Sequence, residues 1–182
     1  MYPDEYGCSE RIAAYISDRY ETCTISQDEI TYLESISNSL DIALTEADLI
    51  QIKEELMQTG YVRRKYTKKK EKITSRPMHY ISSDGYHMYV GKNNLQNEEL
   101  TFSFANGNDW WFHAKGAPGS HVIVKTGGDE LPDRTFEEAG RLAAYYSKNR
   151  GSDKVEIDYV EKKHVKKPNG SKPGFVVYYT NY

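Results

Sequence analysis

At 182 residues the chain is long enough for one domain with a sizeable core and some accessory structure, and too short for two large domains. Hydrophobic side chains make up 38% and charged ones 28%, an ordinary globular balance, and no run approaches the about 18 consecutive apolar residues of a membrane span. The two cysteines, Cys8 and Cys23, are too few for a disulfide framework and lack the paired spacing of a zinc site, which points to a reducing compartment. Met1-Tyr2-Pro3-Asp4-Glu5 has no basic start leading into an apolar run, so the expected location is cytoplasmic, with no membrane partner.

The net charge of -3 conceals a division along the chain. Residues 1–60 carry 13 acidic and 3 basic side chains, residues 61–76 carry 1 and 8, and residues 77–182 carry 13 of each. An acidic average does not exclude a nucleic-acid partner, because binding responds to the local potential. The 16 tyrosines suit β-strands and core edges, and equally half-wet surfaces on which bases stack.

In chain order, Ile12, Tyr15, Ile16 and Tyr20 recur at helical spacing after Ser9, a suitable N-cap. Ser26-Gln27-Asp28-Glu29 forms a capping box for a second helix with Ile30, Leu33, Ile36 and Leu40 on one stripe. Thr45 caps a third, whose Leu49, Ile52 and Leu56 share a face before Gly60 ends it. Seams this narrow bury little area alone, so these helices are expected to need a protein partner, as a coiled-coil remnant or docking arm. The stretch from Tyr61 to Lys72 repels itself into an extended linker.

Beyond the linker the pattern turns to strands. Met78–Ser82 and Tyr86–Val90 flank Ser83-Asp84-Gly85, a hairpin turn. A short helix capped by Asn93 or Asn94 runs through Leu95 to Phe104, unless Thr101–Phe104 is strand. Trp110–Ala114 and His121–Lys125 read as strands, and Thr135-Phe136-Glu137-Glu138 as a capping box opening a helix that Gly151 closes. Val155–Val160 and Phe175–Tyr179 are the last strands. Strands outnumber helices and short turns join them, so the expected fold class is α+β, an antiparallel or mixed sheet with a few helices, preceded by a coiled-coil-like helical segment. Neither GxGxxG nor GxxxxGK[ST] occurs, and no cofactor is expected.

Four stretches carry candidate chemistry. In Gly91-Lys92-Asn93-Asn94 a cation and two amides follow a strand, suited to a phosphate and sugar backbone; alternatively Asn93 caps a helix and Lys92 is solvated. Alternation puts Trp111 and His113 on one strand face, where with Lys115 they make a base-stacking platform, unless Trp111 is buried and His113 satisfies a carbonyl. At Pro118-Gly119-Ser120-His121 the glycine permits close approach and N–H groups beside Ser120 suit a phosphate; the alternative is a tight turn. Lys162, Lys163, Lys166, Lys167 and Lys172 form an acid-free basic loop, a phosphate-neutralising surface or simply a solvated one. A hydrolytic triad of Ser120 with His113 or His121 and Asp109 is disfavoured, since adjacent Ser120 and His121 point to opposite faces. A metal site at His113, His121 and Asp109, with His79 or His87, matches no recurrent zinc spacing. No catalytic or metal role is therefore expected.

Taken together, Ser83-Asp84-Gly85-Tyr86, Tyr89-Val90-Gly91-Lys92-Asn93-Asn94, Asp109-Trp110-Trp111-Phe112-His113-Ala114-Lys115 and Pro118-Gly119-Ser120-His121-Val122 resemble successive blocks of the NFACT-R domain of the NFACT, or fibronectin-binding protein A, family of ribosome quality-control factors. Ala143-Ala144-Tyr145-Tyr146-Ser147, Val165-Lys166-Lys167-Pro168 and Lys172-Pro173-Gly174 continue the resemblance, and Trp110 departs from it, standing where the family pattern has an aliphatic residue. Glu29–Ser35 and Glu54–Tyr61 resemble the end of the family's coiled coil; residues 1–25 carry no part of the resemblance. The implied organisation is an acidic helical segment at 1–60, a basic linker at 61–76 and the NFACT-R domain at 77–182. The implied function is a non-catalytic module that contacts tRNA or large-subunit rRNA during rescue of stalled nascent chains. The contacts expected from this sequence are Lys92, Asn93, Asn94, Trp111, His113, Lys115, Ser120, His121, Lys162, Lys163, Lys166 and Lys167. The alternatives are a fibronectin-binding or protein-interaction module and a small RNA-modifying enzyme.

Overall fold

The computed structural model describes residues 27–63 and 75–179. The helix expected after Ser9, the Ser26 cap and the linker residues 64–74 lie outside the described residues. The chain divides into two compact units, Met1–Glu34 and Ser35–Tyr182. Of the first, residues 27–34 are helical, with Tyr32 buried and Ile30 and Leu33 exposed.

The second unit is built on a five-stranded, wholly antiparallel sheet: β1 (Met78–Ile81), β2 (His87–Val90), β3 (Trp110–Ala114), β4 (Val122–Lys125) and β5 (Ile157–Glu161), in the order β1-β2-β4-β3-β5. The expected α+β class is the observed one. Alternation along the strands produces two apolar faces. Met88, Val90, Phe112, Val122 and Val124 point to one, where α4 (Asp133–Tyr145) seals them with Ala139 and Ala143. Trp111, Ile123 and Val160 point to the other, where Leu100, Ala105 and Val165 meet them.

That second face is covered by two pieces, the first of which the sequence left ambiguous. The short helix α3 (Asn94–Glu99) runs directly into a π-helical turn, Leu100–Phe104, closed by the Ala105 N–H donating to the Leu100 carbonyl at 2.9 Å. The extra residue in that turn buries Leu100 and Thr101 and leaves Phe104 at the surface. The other piece is a two-stranded ribbon of β6 (Val165–Lys166) and β7 (Val177–Tyr178). Phe175–Tyr179 thus does not extend the main sheet; only Val177–Tyr178 is strand, and it pairs with β6, which was not anticipated.

Helix α4 also differs from its sequence reading. Its N-cap is Pro132 and makes no side-chain hydrogen bond. Thr135, expected to cap it, is buried and donates to the Asp84 carboxylate at 2.7 Å, while Glu138 accepts the Ser83 N–H at 2.8 Å. Both residues hold the β1–β2 turn onto the helix, where Gly85 supplies the positive φ of 88°. The helix ends at Tyr145, six residues before Gly151.

Residues 35–42 are helical (α1), and α2 (Glu46–Gln58) follows with the expected Thr45 capping box. The face that α2 buries is not its leucine stripe. Asp48, Ile52 and Glu55 are buried, one helical turn apart, and Leu49 is 49% exposed. The partners of the carboxylates decide this. Lys92 Nζ lies 2.6 Å from Asp48 Oδ1, the N–H groups of Leu44 and Thr45 reach Oδ2 at 3.0 Å, and Ser75 donates to Oδ1. Asn94 Nδ2 donates to Glu55 Oε1 at 2.8 Å and to Ser35 Oγ at 2.8 Å. Gln51 accepts from Asn93 Nδ2 at 2.9 Å and from Gln96 Nε2 at 2.7 Å.

Burial alone would raise the Asp48 carboxyl, but Lys92, Ser75 and the backbone donors outweigh it and hold it far below the usual carboxylate range. Removing the cation leaves a buried charge without compensation, so Lys92→Met is expected to cost about 3–5 kcal/mol in urea unfolding at neutral pH. Because the folded Asp48 titrates below its unfolded value of about 3.9, its contribution is complete above that pH and is lost as acidity carries it through the folded value. Asp48→Asn should flatten the fall of the urea midpoint below about pH 4; a fall as steep as the parent's would contradict this assignment.

Candidate nucleic-acid interface

The four candidate stretches meet on the side of the sheet that faces α3 and the β6–β7 ribbon, but most of their side chains point inward. Gly91 follows β2 because a Cβ there would lie 2.2 Å from Asn97 Oδ1, the atom that accepts the His121 N–H at 2.9 Å. Asn93 is the N-cap of α3, accepting the Gln96 N–H at 3.0 Å. Lys92, Asn93 and Asn94 are all buried in the α2–α3 network. Their expected placement toward a phosphate backbone is therefore corrected: the carboxylates and amides of α2 hold these groups instead.

The strand reading of Trp111 and His113 on one face holds, and the exposed platform does not. Trp111 is fully buried, with Tyr178 of the ribbon 4.9 Å and His121 5.1 Å from it, centroid to centroid. His113 is half-buried, its ring 5.6 Å from the Trp111 ring and nearly parallel to it. Lys115 alone of this block is well exposed, beside Glu156 at 3.3 Å.

Ser120 and His121 are also buried. The Pro118–Ser120 turn is bound to the end of α4, with the Ser120 N–H donating to the Tyr146 carbonyl and the Lys148 N–H to the Pro118 carbonyl, each at 2.9 Å. Ser147 Cβ stands 3.0 Å from where a Gly119 Cβ would be, so the glycine serves close packing against the end of α4, and the Ser120 N–H is already taken. His121 Nδ1 pairs with Thr101 Oγ1 at 2.8 Å, and Ser120 Oγ has no hydrogen-bond partner among the described residues. Asp109 is an anchor for β4, accepting from Lys125 Nζ at 2.5 Å and the Thr126 N–H at 3.2 Å. The serine–histidine–aspartate contacts of a hydrolytic triad are thus not formed, and no cluster fit for a metal ion occurs among the described residues.

The basic loop is the part of the candidate set that reaches solvent. Lys163, Lys166 and Lys167 are exposed and Lys162 is partly so. Lys163 lies 2.5 Å from Glu161 and Lys167 2.5 Å from Glu98, whereas Lys162 Nζ sits 5.9 Å from the Phe102 ring. Lys172 donates to the Tyr61 hydroxyl at 2.9 Å. The sequence offered His79 and His87 only as possible metal ligands and gave Tyr89 and Phe104 no contact role, yet the four gather on this same side of the sheet; positions 79, 87 and 89 alternate with the core residues Met78, Met88 and Val90.

Burial drives the His113 imidazole down to about 4, against the opposing pull of the Gly119 backbone and Asp158. Burial, and then His113 itself, hold His121 well below the ordinary histidine range. The unfolded chain takes up these protons near pH 6.5 and the folded one only at greater acidity, so acidification from about pH 7 to pH 5 favours unfolding. In proton NMR, His121 is expected to stay neutral across that interval and His113 to reach its midpoint near pH 4. Ordinary titration of His121 would show that water reaches a ring placed in the interior.

Three comparisons bear on this arrangement. The family model described as the NFACT protein RNA binding domain matches residues 76–179, and that of the NFACT N-terminal and middle domains matches residues 17–75. A relative from Streptococcus pneumoniae named Rqc2 homolog RqcH is 43% identical over 180 residues, 97% of this chain and 31% of its own. The Bacillus subtilis protein of the same name is 42% identical over 161 residues, 87% of this chain and 28% of its own. The chain therefore spans about a third of the length of these curated relatives. The solved C-terminal structure of the fibronectin/fibrinogen-binding protein from Streptococcus suis superposes with a TM-score of 0.88 at 39% identity, covering 96% of this chain and 70% of that one.

Proposed function

This chain belongs to the NFACT family, and on that premise we propose that its C-terminal unit is the RNA-binding module of a ribosome-associated quality-control factor, contacting tRNA or large-subunit rRNA. The observation that carries the reading is the match of residues 76–179 to the family's RNA-binding domain. On this surface the contacts fall to Lys115, Lys162, Lys163, Lys166 and Lys167, which reach solvent, and to the half-buried His113. Lys92, Asn93, Asn94, Trp111, Ser120 and His121 serve behind them, fixing the positions of β3, α3 and the ribbon. Phosphate contacts of this kind position an RNA without reading its sequence, in keeping with a factor that must act on any stalled chain.

No helix among the described residues is long and apolar enough to cross a membrane. The name of the Streptococcus suis relative supplies a second reading, attachment to fibronectin or fibrinogen. Titration of fluorescent tRNA between about 50 and 200 mM salt separates the two. Binding should weaken steeply with salt, and replacing Lys162, Lys163 and Lys166 by alanine should lower the slope of log Kd against log salt by about 1 per cation removed. Absence of tRNA binding at low salt together with saturable capture on immobilised fibronectin would favour the second reading. A slope unchanged in the alanine variant would remove the basic loop from the interface.

A further inference from the structure

We propose that His79 and His87, backed by Tyr89, form a ready-made stacking platform for one unpaired nucleobase of RNA, an inference that rests on the RNA-binding reading above. The β1–β2 hairpin has one side committed to the core through Met78, Met88 and Val90. Its other side carries His79 and Tyr89, directly opposite one another, and His87, and both histidines are exposed.

His79 Nε2 lies 2.7 Å from His87 Nδ1 while the two ring planes differ by 17° and the centroids stand 5.0 Å apart. A hydrogen bond to an imidazole nitrogen runs in the plane of its ring. Two rings so joined, with planes so close, lie edge to edge and make one flat surface about the extent of a purine rather than a face-to-face stack. Behind it, Tyr89 is nearly parallel to His79 at 4.7 Å and 14°, and Phe104, raised to the surface by the π-helical turn, meets Tyr89 edge-on at 4.7 Å. The layers are thus Phe104, Tyr89 and the paired imidazoles, and the stack ends in solvent.

A further feature suits a base rather than an aliphatic group. One proton is shared between the paired nitrogens, so whichever ring donates, the two remaining nitrogens offer one N–H donor and one bare acceptor along the edge of the patch. Lys125 stands directly opposite His87 on β4, its Nζ 4.9 Å from the Phe104 ring and paired with Asp109, so it braces the aromatic layers from the side. Lys162 over Phe102 continues the same aromatic and basic side of the sheet toward the lysine loop.

The test compares an eight-nucleotide oligoadenylate with a twelve-base-pair RNA duplex, both titrated against the full chain by fluorescence anisotropy. Stacking one base is worth about 1–3 kcal/mol, so the double variant His79→Ala/His87→Ala should bind the oligoadenylate about 5- to 150-fold more weakly and the duplex as the parent does. His87→Trp, which keeps a flat ring, should retain oligoadenylate binding. Upfield shifts on adding oligoadenylate should be confined to the ring protons of His79 and His87. Equal losses in the single-strand and duplex arms, or no loss in either, would overturn the platform. If tRNA binding depends on the lysine loop while the histidine variant binds oligoadenylate normally, only the platform falls; if no RNA binds the parent protein, the functional reading falls with it.

Discussion

Asp48 is a carboxylate with no access to water, and its compensation by Lys92 organises the half of the molecule that the sheet alone would leave undefined. A charge in that position is tolerable only if every oxygen is satisfied. Satisfying it takes Lys92 from the end of β2, Ser75 from just before β1 and the N–H groups of the α1–α2 turn. The same geometry turns Glu55 toward Asn94 and leaves Leu49 in solvent. Helix α2 therefore docks through polar groups, and docks in one register, because the amides of Asn93, Asn94 and Gln96 reach Gln51 and Glu55 only there.

The sheet then works as a partition with two unlike sides. Toward α4 it is sealed by aliphatic and aromatic packing, with the β1–β2 turn tied to the helix by Thr135 and Glu138. Toward α3 and the ribbon it mixes apolar groups with histidines, and the π-helical turn decides which aromatics are hidden. The ribbon covers Trp111 through Tyr178, so the aromatic surface that reaches solvent lies nearer β1 and β2. Histidine accordingly appears in two settings on the same side of the sheet: His121 buried and held neutral, His79 and His87 exposed and paired with each other.

Much of this was legible in the chain. The β1–β2 hairpin, the strands around Trp111 and Ile123, the helix after Leu131 and the Thr45 capping box follow from alternation, turn residues and helical periodicity, which are local. The seven blocks of resemblance, carried by residues such as Trp111 and His121, led to the family that the matches to residues 76–179 and 17–75 establish. Local signals failed where a side chain had a distant partner. Thr135 has the sequence of a cap and spends its hydroxyl on Asp84; Phe175–Tyr179 has the composition of a sheet strand and pairs only with β6.

The candidate surface was legible in residue type but not in placement. A cation, two amides, an indole, a serine and two histidines in short motifs look alike whether they serve a ligand or a core. Sequence by itself determined the strands of the main sheet, their turns, the family and the basic character of the 162–172 loop, because each depends on neighbours in the chain or on charge that no fold can remove. Tertiary structure alone decided that Lys92, Asn94, Trp111 and His121 face inward while His79 and His87 face out. Burial depends on which distant segments, α2 and the β6–β7 ribbon, come to rest on the sheet, and that is settled by the pairing of Asp48 with Lys92 and of Trp111 with Tyr178.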